Sequence, residues 1–115
     1  QEGFLNIFQA VQENKPFVMN VYRSVSRERI EQYLAPLIRS LILGVVEEQS
    51  EGMSIRGADK QFIASFYEHA STGVMLEWID NSMKEDPAAI VERTSRVVHG
   101  NVVRALNVFR TDRVR

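Results

Sequence analysis

Residues 58–110 read ADKQFIASFYEHASTGVMLEWIDNSMKEDPAAIVERTSRVVHGNVVRALNVFR, and their distribution on a helical wheel decides the fold. With Phe62 as zero and about 100° per residue, Leu76, Gly73, Phe66, Ala70, Ile63, Val74, Tyr67 and Trp78 fall into one arc roughly 200° wide. After a break at Lys84-Glu85-Asp86-Pro87, a second run sets Ile90, Val91, Val97, Val98, Val102, Ala105, Leu106, Val108 and Phe109 on about half the wheel. Arg93, Arg96, Gly100, Arg104 and Asn107 share the other half. A surface helix of a monomer needs an apolar stripe nearer about 100°. Each run is therefore expected to meet both its own domain and a second surface, which we read as a symmetry mate.

A chain of 115 residues, 44% hydrophobic and 25% charged, suits one ordinary globular domain spanning residues 1–115. The absence of cysteine removes disulfides, thiolate metal sites and thiol nucleophiles together, and fits a reducing, cytoplasmic setting. A formal charge of −1 makes no global case for nucleic acid. The apolar run from Leu34 to Val46 is interrupted by Pro36 and Arg39 and falls well short of the roughly 20 residues needed to span a bilayer. No signal or transit peptide is visible. The chain opens at Gln1 directly into an amphipathic pattern, which suggests an excised domain of a longer protein.

Upstream, Phe4, Leu5, Phe8 and Val11 predict a short helix over residues 3–13, ended by Asn14-Lys15-Pro16. Pro16 suits the first turn of a new helix carrying Phe17, Val18, Val21 and Tyr22, which breaks around Ser24-Val25-Ser26. Ser26 is the expected N-cap of a third helix running to about Glu48. Pro36 inside it should kink or split it near Tyr33. Residues 47–57 form the main loop and the expected mobile segment, Asp59 can cap the next helix, and Asp86-Pro87 marks a sharp start for the last. No stretch alternates with period two, so the fold is all-α with five or six helices.

Carriers of chemistry are missing. His69 and His99 form no Glu-x-x-His or His-x-x-x-His pair, so no metal site is expected, and no nucleophile elbow, phosphate loop or dinucleotide fingerprint occurs. We expect neither an enzyme nor a cofactor. His69 falls about 20° from Phe62 in the apolar arc, either as a core histidine satisfied by a carbonyl or hydroxyl or as a ligand contact. Glu77, also inside the arc, is either paired across an interface or placed where the helix leaves the bundle. Trp78 reads as core or interface packing. The arginines at 93, 96, 104, 110, 113 and 115 make the last stretch locally basic, which reads as a solvated face and tail.

The run Phe66-Tyr67-Glu68-His69-Ala70-Ser71-Thr72-Gly73-Val74-Met75-Leu76-Glu77-Trp78-Ile79, followed by Asp86-Pro87 and an apolar helix, resembles the C-terminal domain of TetR-family transcriptional regulators. The likeness is greatest to the subgroup with regulators of dihydroxyacetone kinase operons. The opening Phe4-Leu5-Asn6-Ile7-Phe8, with Glu13-Asn14-Lys15 and Phe17, is similar to the start of that domain.

The resemblance implies that the last two helices pair with their twofold mates as a four-helix bundle. The shorter helices would enclose an effector pocket, and an N-terminal helix-turn-helix domain, not visible in this sequence, would carry DNA binding. The residues expected to line a pocket for a small apolar or aromatic effector are Phe8, Val21, Leu37, Leu41, Phe66, Tyr67, His69 and Ala70. Those expected at the homodimer interface are Gly73, Val98, Val102, Ala105 and Phe109. Two functions follow: the effector-sensing and dimerisation domain of a regulator, or an interaction module that binds a co-regulator protein without a small ligand.

Overall fold

Apolar residues four apart, Leu34, Ile38, Ile42 and Val46, form the spine of the protein, and all four are buried in a computed structural model of the chain. The structure describes residues 2–24 and 26–112, without the side chains of Ser24 and His99. Among the described residues there are five helices and no strand: α1 (Glu2–Glu13), α2 (Lys15–Ser24), α3 (Arg27–Gln49), α4 (Gly57–Asp80) and α5 (Pro87–Phe109). α3 packs chiefly on α4, whose Ala64, Met75 and Ile79 are likewise buried in the same core. In the same core Phe8 of α1 meets Trp78 of α4 edge to face, with ring centroids 5.0 Å apart.

Helix boundaries follow local chemistry. The Ser26 hydroxyl accepts from the Arg29 N–H at 3.1 Å and caps α3. Asp86 accepts from the Ala88 N–H at 3.4 Å ahead of Pro87, which starts α5 where its missing N–H is harmless. Asp59 is not a cap. The carbonyl of Arg56 takes the N–H groups of Asp59 and Lys60, so α4 starts at Gly57 and Asp59 falls within its first turn.

Of the kink or split expected at Pro36, the split does not occur, and α3 runs unbroken past it. An internal proline costs about 3 kcal/mol, and here it is exposed, flanked by the buried Leu34 and Ile38. Each such side chain contributes about 1.5–3 kcal/mol when buried, so packing outweighs the lost backbone bond. Of the expected break at Ser24-Val25-Ser26, Val25 lies outside the described residues, as do Arg113 and Arg115 of the basic tail.

Both connections beside α4 are fastened. The loop expected to be mobile is joined at Ser54, whose carbonyl accepts from the Thr111 N–H at 2.7 Å and the Thr111 hydroxyl at 3.0 Å. Beyond α4, Ser82 and Met83 adopt left-handed φ of 62° and 56°, a conformation costing roughly 1–2 kcal/mol per non-glycine residue. Burial of Met83 and the bond from its N–H to the Trp78 carbonyl at 2.8 Å offset that strain.

The fold is thin. Its Cα extents are 55 × 25 × 16 Å and its radius of gyration is 15.8 Å, against about 13 Å for a compact chain of this length. With helices roughly 10–12 Å across, a body of that thickness covers α4 and α5 on one side and leaves the other bare.

Candidate functional site

The bare side is where α4 and α5 lie together. Phe62, Phe66 and Val74 of α4 and Val97 and Val108 of α5 are large apolar side chains exposed to solvent, Phe66 and Val97 each at 63%. Isolated exposed apolar residues are ordinary, whereas a row of them along two paired helices marks a surface meant to be covered. Gly73 lies among them, and a Cβ built there would meet nothing within 4 Å. The backbone of α4 is therefore open to close approach by another element.

Between the two helices runs an open groove of about 570 Å³. Phe66, Tyr67, Ala70 and Val74 form one wall, and Thr94, Val97 and Val98 the other. Phe66 and Tyr67 stack edge to face with centroids 5.4 Å apart. Trp78 and Ile90, both buried, close the floor, and the Trp78 indole N–H donates to the Glu85 carbonyl at 2.8 Å. At the loop end the rim carries Glu77, Lys84, Glu85 and Arg93, two carboxylates against two cations.

Two kinds of buried polar group sit on α4. Thr72 donates to Glu68 Oε2 at 3.2 Å, both residues being buried. Ser71, only 4% exposed, has a hydroxyl with no hydrogen-bond partner, the sole such side-chain atom found among the described residues. It lines the groove and also a void of about 10 Å³ toward Phe4 and Phe8, which is at or below the size one water needs.

The residues expected to surround an effector do not converge. Phe8 is core, Val21 and Leu41 are half-buried, and Leu37 is 44% exposed on α3. Leu41 lies over α1, where a Cβ at Gly3 would come 2.6 Å from its Cδ2. Phe66, Tyr67 and Ala70 belong instead to the α4–α5 groove. α3 and α4 pack directly on each other, and among the described residues these eight side chains line no common pocket of those found.

His69 is not a core histidine. Its side chain is exposed, and its Nδ1–H donates to the Ser65 carbonyl at 2.6 Å, which leaves Nε2 facing outward. The wheel missed by one position, since Glu68 turns inward and His69 outward. Glu77 is exposed at the groove rim, and Trp78 is core.

Of the expected interface residues, Gly73, Val98 and Ala105 are half-buried on the α4–α5 side and Phe109 is exposed. Val102, at 0%, lies within the protomer and has no surface to offer a partner. Phe66, Val74 and Val97 are the more prominent side chains; an apolar residue inside an arc too wide for one neighbour was the signal for them. Arg93, Arg96 and Arg104 are exposed, and Arg96 pairs with Glu92 at 2.9 Å as a solvated face would. No group of three or more metal-ligating side chains occurs among the described residues. No described helix is long and apolar enough to cross a membrane.

A family model described as "Transcriptional regulator C-terminal region", of the TetR type, matches residues 1–100. No curated protein and no solved structure matches the chain.

Proposed function

This chain belongs to the family of TetR-type transcriptional regulator C-terminal regions, and from that premise we propose that it is the pairing and sensing domain of such a regulator, assembled as a twofold dimer through α4 and α5. The observation that carries the reading is the exposed row Phe62, Phe66, Val74, Val97 and Val108 on the open side of a thin fold. Covering each such side chain contributes about 1.5–3 kcal/mol at most, and a twofold axis counts every residue twice. Binding to DNA is assigned to a separate helix-turn-helix domain, as the family resemblance implies.

A second reading has its own support. Phe17 on α2 and Tyr33 and Leu37 on α3 are also exposed, at 69%, 73% and 44%, and none of them lines the α4–α5 groove. Such residues suit a co-regulator protein seated on the short-helix side.

Sedimentation of the purified chain tests the pairing. The wild type is expected to be a dimer at micromolar concentration, and Val97→Glu a monomer that keeps its helical circular dichroism. Arg96→Glu, on the polar face, should leave assembly intact. Ala105 is a poorer probe because it also packs on the protomer core. A wild-type monomer at high concentration removes the pairing reading and leaves the co-regulator one standing.

A further inference from the structure

We propose that the α4–α5 groove is itself a ligand site, taking a small neutral apolar molecule that carries one hydroxyl or carbonyl group, which bonds to Ser71. The inference rests on the pairing reading for its roof: a second copy resting on Phe66, Val74 and Val97 would cover the groove while its floor lies below them.

Three features select the chemistry. At about 570 Å³ the groove has the size and apolar lining of a small-molecule site. The rim holds Glu77 and Glu85 against Lys84 and Arg93, a balance that favours no net charge in the occupant. The decisive group is Ser71, the one buried side-chain hydroxyl without a partner among the described residues, while two other polar groups of the groove are engaged: the Trp78 N–H on the Glu85 carbonyl and the Thr94 hydroxyl on the Ile90 carbonyl at 2.9 Å. A buried hydroxyl without a partner is unfavourable, and apolar side chains from a mate could fill space beside it but could not satisfy it. A ligand hydroxyl or carbonyl can, with the hydrocarbon part lying along Phe66, Val74 and Val97.

This places sensing at the seam between the two subunits rather than inside one, so occupancy would bear directly on how the helices of the pair are set. Coupling of that kind needs a ligand that binds one arrangement better than the other, and a groove walled by both pairing helices supplies the difference.

The test uses menthol and its deoxy counterpart p-menthane as probes, with Trp78, the one tryptophan of the chain, as a reporter on the groove floor. Menthol should change Trp78 emission saturably and bind about tenfold tighter than p-menthane, the usual worth of one added hydrogen bond to a buried group. In Ser71→Ala the two probes should bind within about threefold of each other, with the menthane affinity little changed. Ala70→Trp, which fills the groove from its wall, should abolish both. Sedimentation of the same samples separates the two readings: a dimer that binds neither probe overturns the site and spares the pairing, and a monomer that binds menthol with the Ser71 dependence removes the roof and keeps the site. A tenfold preference that survives Ser71→Ala also overturns the assignment.

Discussion

The two flanks of α4 are built from similar residues and end in opposite states. On the side packed against α3, Ala64, Met75 and Ile79 lie fully buried in one core with Ile38, Ile42 and Val46, and the buried Thr72 donates to Glu68. Toward α5, Phe66 and Val74 stand in solvent, the groove lies open, and the Ser71 hydroxyl is without a partner. One flank is a finished core and the other has the composition of a core without its second half. A helix whose apolar arc is wider than one neighbour can cover needs a second surface, and five helices in a layer this thin cover only one side of it.

The largest expected effect is on the finished flank. Ile79→Ala should lower the unfolding free energy by about 2–5 kcal/mol, since a rigid core collapses only partly around a deletion. Val74→Ala, one turn away on the open flank, should cost under about 0.5 kcal/mol in the monomeric Val97→Glu background. Denaturant unfolding of both variants measures the contrast, and equal losses would mean that the protomer already buries both flanks.

A smaller pair of substitutions compares the polar groups. Thr72→Val keeps the shape but strips the donor from a buried carboxylate oxygen, an omission worth about 1–3 kcal/mol. Ser71→Ala removes a hydroxyl that has no bond to lose, and should be neutral or slightly stabilising in the absence of ligand. Destabilisation by Ser71→Ala in thermal unfolding would show that the hydroxyl is bonded within the free protein.

The smallest effect tests the far end of α4, where the segment after α5 clasps Ser54. The Arg110 guanidinium, donating to Asp112 at 2.8 and 3.1 Å, holds that carboxyl down at about 2, with help from a backbone N–H of Ser54. A depressed folded pKa stabilises above the ordinary value of 3.8 and loses that contribution as pH falls toward about 2. Thermal midpoints of wild type should therefore drop slightly across that acid window, and Asp112→Asn should flatten the drop while leaving the neutral midpoint a little lower.

Some of this was legible before folding. The all-α class, the cap at Ser26 and the start at Asp86-Pro87 are local: hydroxyl or carboxylate, backbone N–H and proline ring lie within three residues of one another, so no distant packing is needed to place them. The excess width of the apolar arcs also survived, because it follows from composition and helical pitch alone. The continuity of α3 past Pro36 and the outward side of His69 are not local in this way. Whether a proline breaks a helix depends on the packing that spans it, and a rotation of one residue, from His69 to Glu68, lies within the tolerance of an idealised wheel.

What the sequence by itself determined is which segments are helices and that the last two carry more apolar surface than one neighbour can cover. The tertiary structure decided which half of that surface is spent within the protomer. It buried Val102 and left Val97 exposed, packed α3 on α4, and opened a groove between α4 and α5 that Ser71 also lines. Hydrophobicity drives burial without direction. The choice of partner face comes from how side chains of particular shape interlock when helices far apart in sequence meet.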